Sequence, residues 1–267
     1  MREESIDSLS AYIDKISGLV KPSDPHPHLR RWFRGVPDAE FKLIPSEFRS
    51  GPRKHGYTLE DDERHAVRDF TLWSAGMIPS GTSPVDIYFQ QQHHGQPTRL
   101  LDWTTNALVA LYFAVESDQT DKAGAVYAMD AYGFGTPTYE DFHGTVHPGG
   151  GFAVASDDRN SLLSVALAEV IYWDKKHKPP SFIFPVRPAF TDIRMRVQRS
   201  CFTCHPPSVS ELTEKENNSL RKITIPKGAV KDGIKDQLVH LGIDHFSVFG
   251  DIDSLAKTVR HNFQLGS

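Results

Sequence analysis

The sequence has no run approaching the roughly 18 to 20 uninterrupted apolar residues that span a bilayer, and its opening MREESIDSLS lacks the basic-then-apolar order of a secretory signal. A cytoplasmic chain with no membrane attachment is the expectation. It holds only two cysteines in 267 residues, Cys201 and Cys204, too few and too close together for a secreted disulfide framework. An excess of one charge sign is also missing. Lys and Arg total 30 against 34 Asp and Glu, a net charge of -4, which excludes the global basic bias of a protein held on nucleic acid by phosphate neutralisation. No Gly-x-Ser-x-Gly elbow argues for a serine hydrolase. Gly149-Gly150-Gly151 is followed by no Lys-Ser or Lys-Thr, so it is not a phosphate loop. No period of about 20 to 50 residues points to a solenoid or propeller. What is present, 39% apolar and 24% charged residues in 30.0 kDa, suffices for one large core.

Periodicity supplies the elements. Ile6, Leu9, Tyr12, Ile13, Ile16 and Leu19 form a helical stripe. Arg30 to Gly35 reads as a short strand closed by a turn at Gly35, Val36 and Pro37. Thr58 opens an acidic-capped helix through Trp73. Ser83 caps a helix with Pro84 at its first position, leading to the polar run Gln90 to His94. Leu108, Leu111, Tyr112 and Val115 with intervening alanines predict a buried central helix over 106–116. Ala125 to Met129, Ser181 to Val186 and Leu220 to Ile225 read as strands, and residues 131–160 as an irregular insertion. The tail reads βαβα: a helix from Val230 to Leu241 stopped by Gly242, a strand from Phe246 to Phe249, and a helix capped by Asp251. These elements predict one α+β domain, a mixed, mostly antiparallel sheet flanked by helices, at 29–263 behind an N-terminal helix and linker at 1–28.

The stretch QQQHHGQPTRLLDWTT, Gln90 to Thr105, concentrates His93, His94, Arg99, Asp102, Trp103, Thr104 and Thr105 in a way core segments rarely do. With Trp32-Phe33-Arg34-Gly35, Leu43 to Arg49, the helix Ala107 to Glu116, Gln198 ahead of Phe202-Thr203, and Gly242-Ile243, it resembles the FRG domain, a family named for the tripeptide Phe33-Arg34-Gly35. A second resemblance is to ADP-ribosyltransferases of the arginine-serine-glutamate type, which carry an Arg-Gly at the end of the first core strand and a Ser-Thr-Ser strand backed by apolar residues. Arg34-Gly35 and Asp102 to Thr105, with Ala110 and Phe113 behind, follow that order.

That resemblance implies an ADP-ribosyltransferase-like fold taking NAD as a substrate. Arg34 would bind phosphate bidentately, Thr104 and its neighbours Gly35, His93, Arg99, Trp103, Thr105 and Phe113 would surround the nicotinamide or base, and Gln198 would hold a ribose hydroxyl. Transfer chemistry needs a carboxylate to face the charge that develops on the ribose. The matching segment Arg196 to Thr203 offers Gln198 and no Glu-x-Glu, so Asp102, Glu47 or Glu116 substitutes, or the pocket binds without catalysing. Arg34, His94, Asp102 and Gln198 are thus the candidate catalytic set. The implied activity is ADP-ribosyl transfer to a protein or nucleic-acid acceptor, or NAD hydrolysis, by a toxin or defence effector. The alternatives are a non-catalytic nucleotide, nucleic-acid or peptide recognition module, and a nuclease.

Each signal has a plainer reading beside it. Arg34 can close a turn on carbonyls, Arg99 can pair with Asp102 three residues on, and Trp103 can be core. Adjacent histidines on a helix point about 100 degrees apart, so His93 and His94 are a poor metal pair. Cys201-Phe202-Thr203-Cys204-His205 matches half a zinc site, for which His143 or His147 would have to supply the rest. Buried thiols and no metal are the expectation.

Overall fold

A computed structural model describes residues 2–19, 30–49, 59–116, 121–134, 153–154, 166–168, 171, 180–190 and 192–263. The strands are β1 (Arg2–Ser5), β2 (Arg31–Val36), β3 (Leu100–Thr104), β4 (Gly124–Asp130), β5 (Ala153–Val154), β6 (Phe184–Arg187), β7 (Ser200–Cys204) and β8 (Arg221–Ile225). They form one sheet in the order β1-β8-β4-β2-β3-β7-β6-β5. The outer pairs β1 with β8 and β5 with β6 are parallel and the rest antiparallel, so the fold is α+β with a mixed sheet, as the sequence predicts.

The helices are α1 (Leu9–Leu19), α2 (Ser46–Arg49), α3 (Leu59–Trp73), α4 (Pro84–His93), α5 (Ala107–Val115), α6 (Ile193–Val197), α7 (Ala229–His240), α8 (His245–Phe249) and α9 (Ile252–Asn262). Local chemistry fixes their ends. Ser83 accepts from Asp86 N at the start of α4, with Pro84 at the first helical position. Asn106 Oδ1 accepts from Leu108 N and Val109 N, which starts α5 directly after β3.

Three sequence readings are corrected. Phe246 to Phe249 is helical, because Asp244 and Ser247 form a reciprocal capping box and Gly250, at φ 73°, ends the turn. The tail is therefore one strand followed by three helices. A strand, β1, precedes α1 and pairs with β8 at the far end of the chain, a contact without a local signal. Gly35 is not in a turn but inside β2, opposite Val126. The predicted insertion lies outside the described residues except for a 3-10 turn at Ala131–Gly133, Phe134 and β5.

Strand alternation divides the packing. Phe33, Val126, Ala128, Ile223 and Ile225 meet α1, α5, α7 and α8 in one apolar cluster. Trp32, Val36, Leu101, Trp103, Ala125, Tyr127, Met129 and Cys201 form a second on the opposite face. Leu100, Phe202 and Cys204 meet Val85, Tyr88 and Phe89 of α4 in a third. The first and third clusters occupy the same face, and Asp102 and Thr104 stand between them. There β2 and β3 share a single register pair, Phe33 with Thr104, against six between β2 and β4 and five between β3 and β7.

Helix α5 lies on β2 at backbone contact. A Cβ built on Gly35 would stand 1.8 Å from Ala110 O and 2.9 Å from Ala114 N, and one on Gly124 would stand 2.2 Å from Ala114 O. Backbone cannot yield as a flexible side chain can. Gly35→Ala is expected to cost about 3 kcal/mol or more, a fall in Tm of about 6–12 °C. Gly233→Ala, inside α7 with nothing within 4 Å of the added methyl, should instead gain up to about 1 kcal/mol. Thermal unfolding of both variants checks this, and a Gly35→Ala protein as stable as wild type would contradict the contact.

Candidate functional site

The divergence of β2 from β3 opens a cavity of about 310 Å3. Its floor is the shared face of the three central strands: Phe33 and Gly35 from β2, Asp102 and Thr104 from β3, and Ser200 and Phe202 from β7. Asp102 sits opposite Phe202 and Thr104 opposite Ser200 in the register. One wall is α5, through Val109 and Phe113, and the other is the end of α4 with α6, through Gln92, His93, Gly95, Arg194 and Gln198.

Arg34 crosses the gap between the strands. Its Nη1 donates to Asp102 O at 2.7 Å and lies 3.5 Å from Asp102 Oδ2. In effect the guanidinium takes the place of a ladder bond that the splayed strands no longer make. Asp102 is oriented from the other side, since Gln92 Nε2 donates to both carboxylate oxygens at 2.9 Å. Thr98 Oγ1 donates to Gln92 Oε1, which fixes the direction of that amide. Among the described residues that line the cavity, Asp102 is the only carboxylate.

Among the described residues, three buried donors on side chains that line the cavity have no hydrogen-bond partner: Arg34 Nε, Arg194 Nε and Gln198 Nε2. Native proteins rarely leave such atoms unpaired. Burial pulls both arginines below the ordinary guanidinium value, while Asp102 pushes each back up. Arg194 also rests over the Phe249 ring, 4.5 Å from its centroid. Phe249 meets Phe113 edge-on at 5.8 Å. His93 Nε2 lies 3.1 Å from Asp192 Oδ1, and burial lowers its pKa although Asp192 opposes the shift. Asp192 caps α6 through Arg194 N, so the pair ties the two helices of one wall together.

Of the residues predicted from sequence, Arg34, Gly35, His93, Asp102, Trp103, Thr104, Phe113 and Gln198 line this cavity, and His94, Arg99 and Thr105 do not. His94 faces a neighbouring cavity, with its ring edge-on to His93. Arg99 does not pair with Asp102. It is buried, with Nε donating to Glu63 Oε2 at 2.6 Å, its N donating to Tyr88 Oη, and Tyr88 Oη donating to Glu63 Oε1. Thr105 N donates to Arg199 O. The Thr104 hydroxyl is committed to structure, donating to Gln198 O at 2.6 Å and accepting from Asn106 N. Glu47 is buried elsewhere, and Glu116 caps α5 beside His245. Sequence reasoning missed Gln92, Arg194, Ser200 and Phe202. Arg194 stands four residues before Gln198, the spacing that puts two side chains on one helical face.

Cys201 and Cys204 lie on opposite faces of β7, in different apolar clusters, and burial raises both thiols, Cys204 to about 12. Among the described residues no group of three His, Cys, Asp or Glu could hold a metal, and His143 and His147 lie outside those residues. His205 serves structure: Trp103 Nε1 donates to Thr203 Oγ1 at 3.1 Å, Thr203 Oγ1 bonds His205 Nε2, and His205 Nδ1 bonds Ser210 O, both at 2.8 Å. Because Ser210 O can only accept, Nδ1 carries the proton and Nε2 accepts.

Burial holds His205 down at about 3. The unfolded chain takes up that proton near pH 6.5 and the folded one does not, so the stability is present above pH 6.5 and is lost as pH falls toward 3. Between pH 6.5 and 5 wild type should lose about 2 kcal/mol that His205→Gln does not lose. Urea midpoints at the two pH values measure this, and parallel slopes for the two proteins would refute it.

Among the comparisons with known proteins, neither curated proteins nor solved structures give a match. A family model does match, over residues 30–123. That span runs from β2 through α5 and includes Arg34, His93, Asp102 and Phe113, whereas Arg194 and Gln198 follow it. The matching model is described as the FRG domain, and residues 30–123 of this chain are similar to that family.

Proposed function

We propose that the cleft between β2 and β3 binds NAD or a related nucleotide. The observation that carries this reading is the set of three unpartnered buried donors, Arg34 Nε, Arg194 Nε and Gln198 Nε2, around one cavity. Two guanidinium groups with free donors suit a pyrophosphate, and an amide donor suits a ribose hydroxyl. Phe113 and Phe202 supply apolar surface for a ring. At about 310 Å3 the cavity is near the small end of ligand sites, roughly 300–1,000 Å3, so one nucleoside half lies inside and the other extends past the rim.

Asp102 is the carboxylate available for chemistry. If the glycosidic bond is cleaved, nicotinamide leaves with the bonding pair, and water or an acceptor adds to the ribose carbon and gives up a proton. Asp102, oriented by Gln92, faces the positive charge that develops in between. Consumption of NAD in this way would suit a toxin or defence effector. A recognition module without turnover is the second reading. It is favoured by Gln198 standing where related chemistry uses a carboxylate, and by the engagement of Asp102 with Gln92 and Arg34. The nuclease alternative has no metal-binding cluster behind it among the described residues.

Calorimetric titration with NAD, run beside chromatographic measurement of nicotinamide release, separates these readings. Arg34→Ala and Gln198→Ala should each weaken binding by about tenfold or more. Asp102→Asn should keep binding within a few-fold and lower release by roughly 100-fold or more. Tight binding without release selects the recognition module, and NAD affinity untouched in both Arg34→Ala and Gln198→Ala removes the cleft as the site.

A further inference from the structure

A second cavity, about 1,050 Å3, adjoins the other side of the α4–α6 wall and shares with it Asp192, the partner of His93. Phe70, Trp73, Met77 and Ile78 form its apolar side, Asp86 and Asp192 its charged side, and among the described residues no Lys or Arg lines it.

The apolar side is unusually exposed: Met77 is 85% accessible, Trp73 82% and the neighbouring Leu72 63%. Clusters of this kind mark interaction sites more often than random exposure, and Trp and Met are enriched in the cores of interfaces. A slack loop would fold such side chains inward. Here the connection from α3 to α4 is a hydrogen-bonded shelf, with Met77 N and Ile78 N donating to Ser74 O at 2.9 and 3.2 Å and Thr82 N to Pro79 O at 3.2 Å. Gly76 and Gly81, at φ 87° and 85°, make its two reversals.

An apolar floor beside two carboxylates selects a partner with the opposite pattern. We propose that this groove docks a basic amphipathic segment of a protein partner, its apolar face on Trp73 and Met77 and its Lys or Arg side chains on Asp86 and Asp192. The mode is that of a helix laid in a groove, with charge setting orientation and specificity. It stands independently of the nucleotide reading, because its residues and its test involve no nucleotide.

The test uses the full chain and two labelled peptides about 15 residues long, one of alternating-face Leu and Lys, the other with Glu at every Lys position, followed by fluorescence anisotropy. The Lys peptide should bind at least about tenfold more tightly than the Glu peptide at low salt, and weaken as salt screens the pair. Trp73→Ala and Asp86→Asn should each weaken it several-fold. Trp73→Ala alters an exposed site and should leave unfolding within about 0.5 kcal/mol of wild type, which separates loss of docking from loss of fold. Equal affinity for the two peptides, or Lys-peptide binding indifferent to both substitutions, overturns the proposal. So does a concentration-dependent dimer in sedimentation that Trp73→Ala dissolves, since a second copy would then cover the groove.

Discussion

The architecture depends on one steric contact, the backbone of α5 lying against β2 where Gly35 leaves room for Ala110 O. With Gly124 doing the same beneath Ala114, the helix settles onto the β2–β4 pair at a distance that side chains on the strands would forbid. Its N-cap, Asn106, then comes directly off the end of β3, and Thr104 ties that corner to Gln198 O across the cleft. The helix closes over β2 and β4 and leaves β3 to pack under α4. The face of the sheet is thereby shared between two helical packs, and a polar strip is left between them.

Buried polar networks hold the rest of that strip in place. Glu63, Tyr88 and Arg99 bond to one another beneath α4, and Trp103, Thr203, His205 and Ser210 form a hydrogen-bonded chain on the opposite face of β3 and β7. Both networks are bonded mostly internally, with Arg99 Nη2 left without a partner, and such sets rigidify a core. The cleft between them holds more such unpaired atoms. Arg34 and Asp102 engage each other, yet Arg34 Nε, Arg194 Nε and Gln198 Nε2 stay unpaired. Those three donors are what the proposed nucleotide reading rests on. The same wall that closes it, α4 bound to α6 through His93 and Asp192, carries on its other side the exposed apolar shelf. Two cavities of different lining thus share one structural partition.

Much of this was legible in the sequence where the signal is local. The caps at Ser83 and Asp251, the stop at Gly242, and the apolar runs of β4 and β8 are written in neighbouring residues, and their elements form where expected. Short apolar segments were less secure. Phe246 to Phe249 has strand-like composition, and only the capping box three residues wide makes it a helix. The motif-dense stretch from Gln90 to Thr105 also stands out in the sequence, but the fate of each residue in it does not. Arg99 and Asp102 look alike as candidates, yet one is buried against α3 and the other lines the cavity.

By itself the sequence determined the α+β class, the central helix, and a polar constellation around Arg34, His93, Asp102 and Gln198, because helix caps, periodicity and residue type act over a few positions. The tertiary structure alone decided that β1 joins β8, that Gly35 serves close packing rather than a turn, and that Arg194 and Phe202 reach the cleft that Arg99 and His94 do not. Those outcomes follow from how strands diverge and which helix covers them, and they depend on contacts between segments as much as 221 residues apart, for which no local pattern exists.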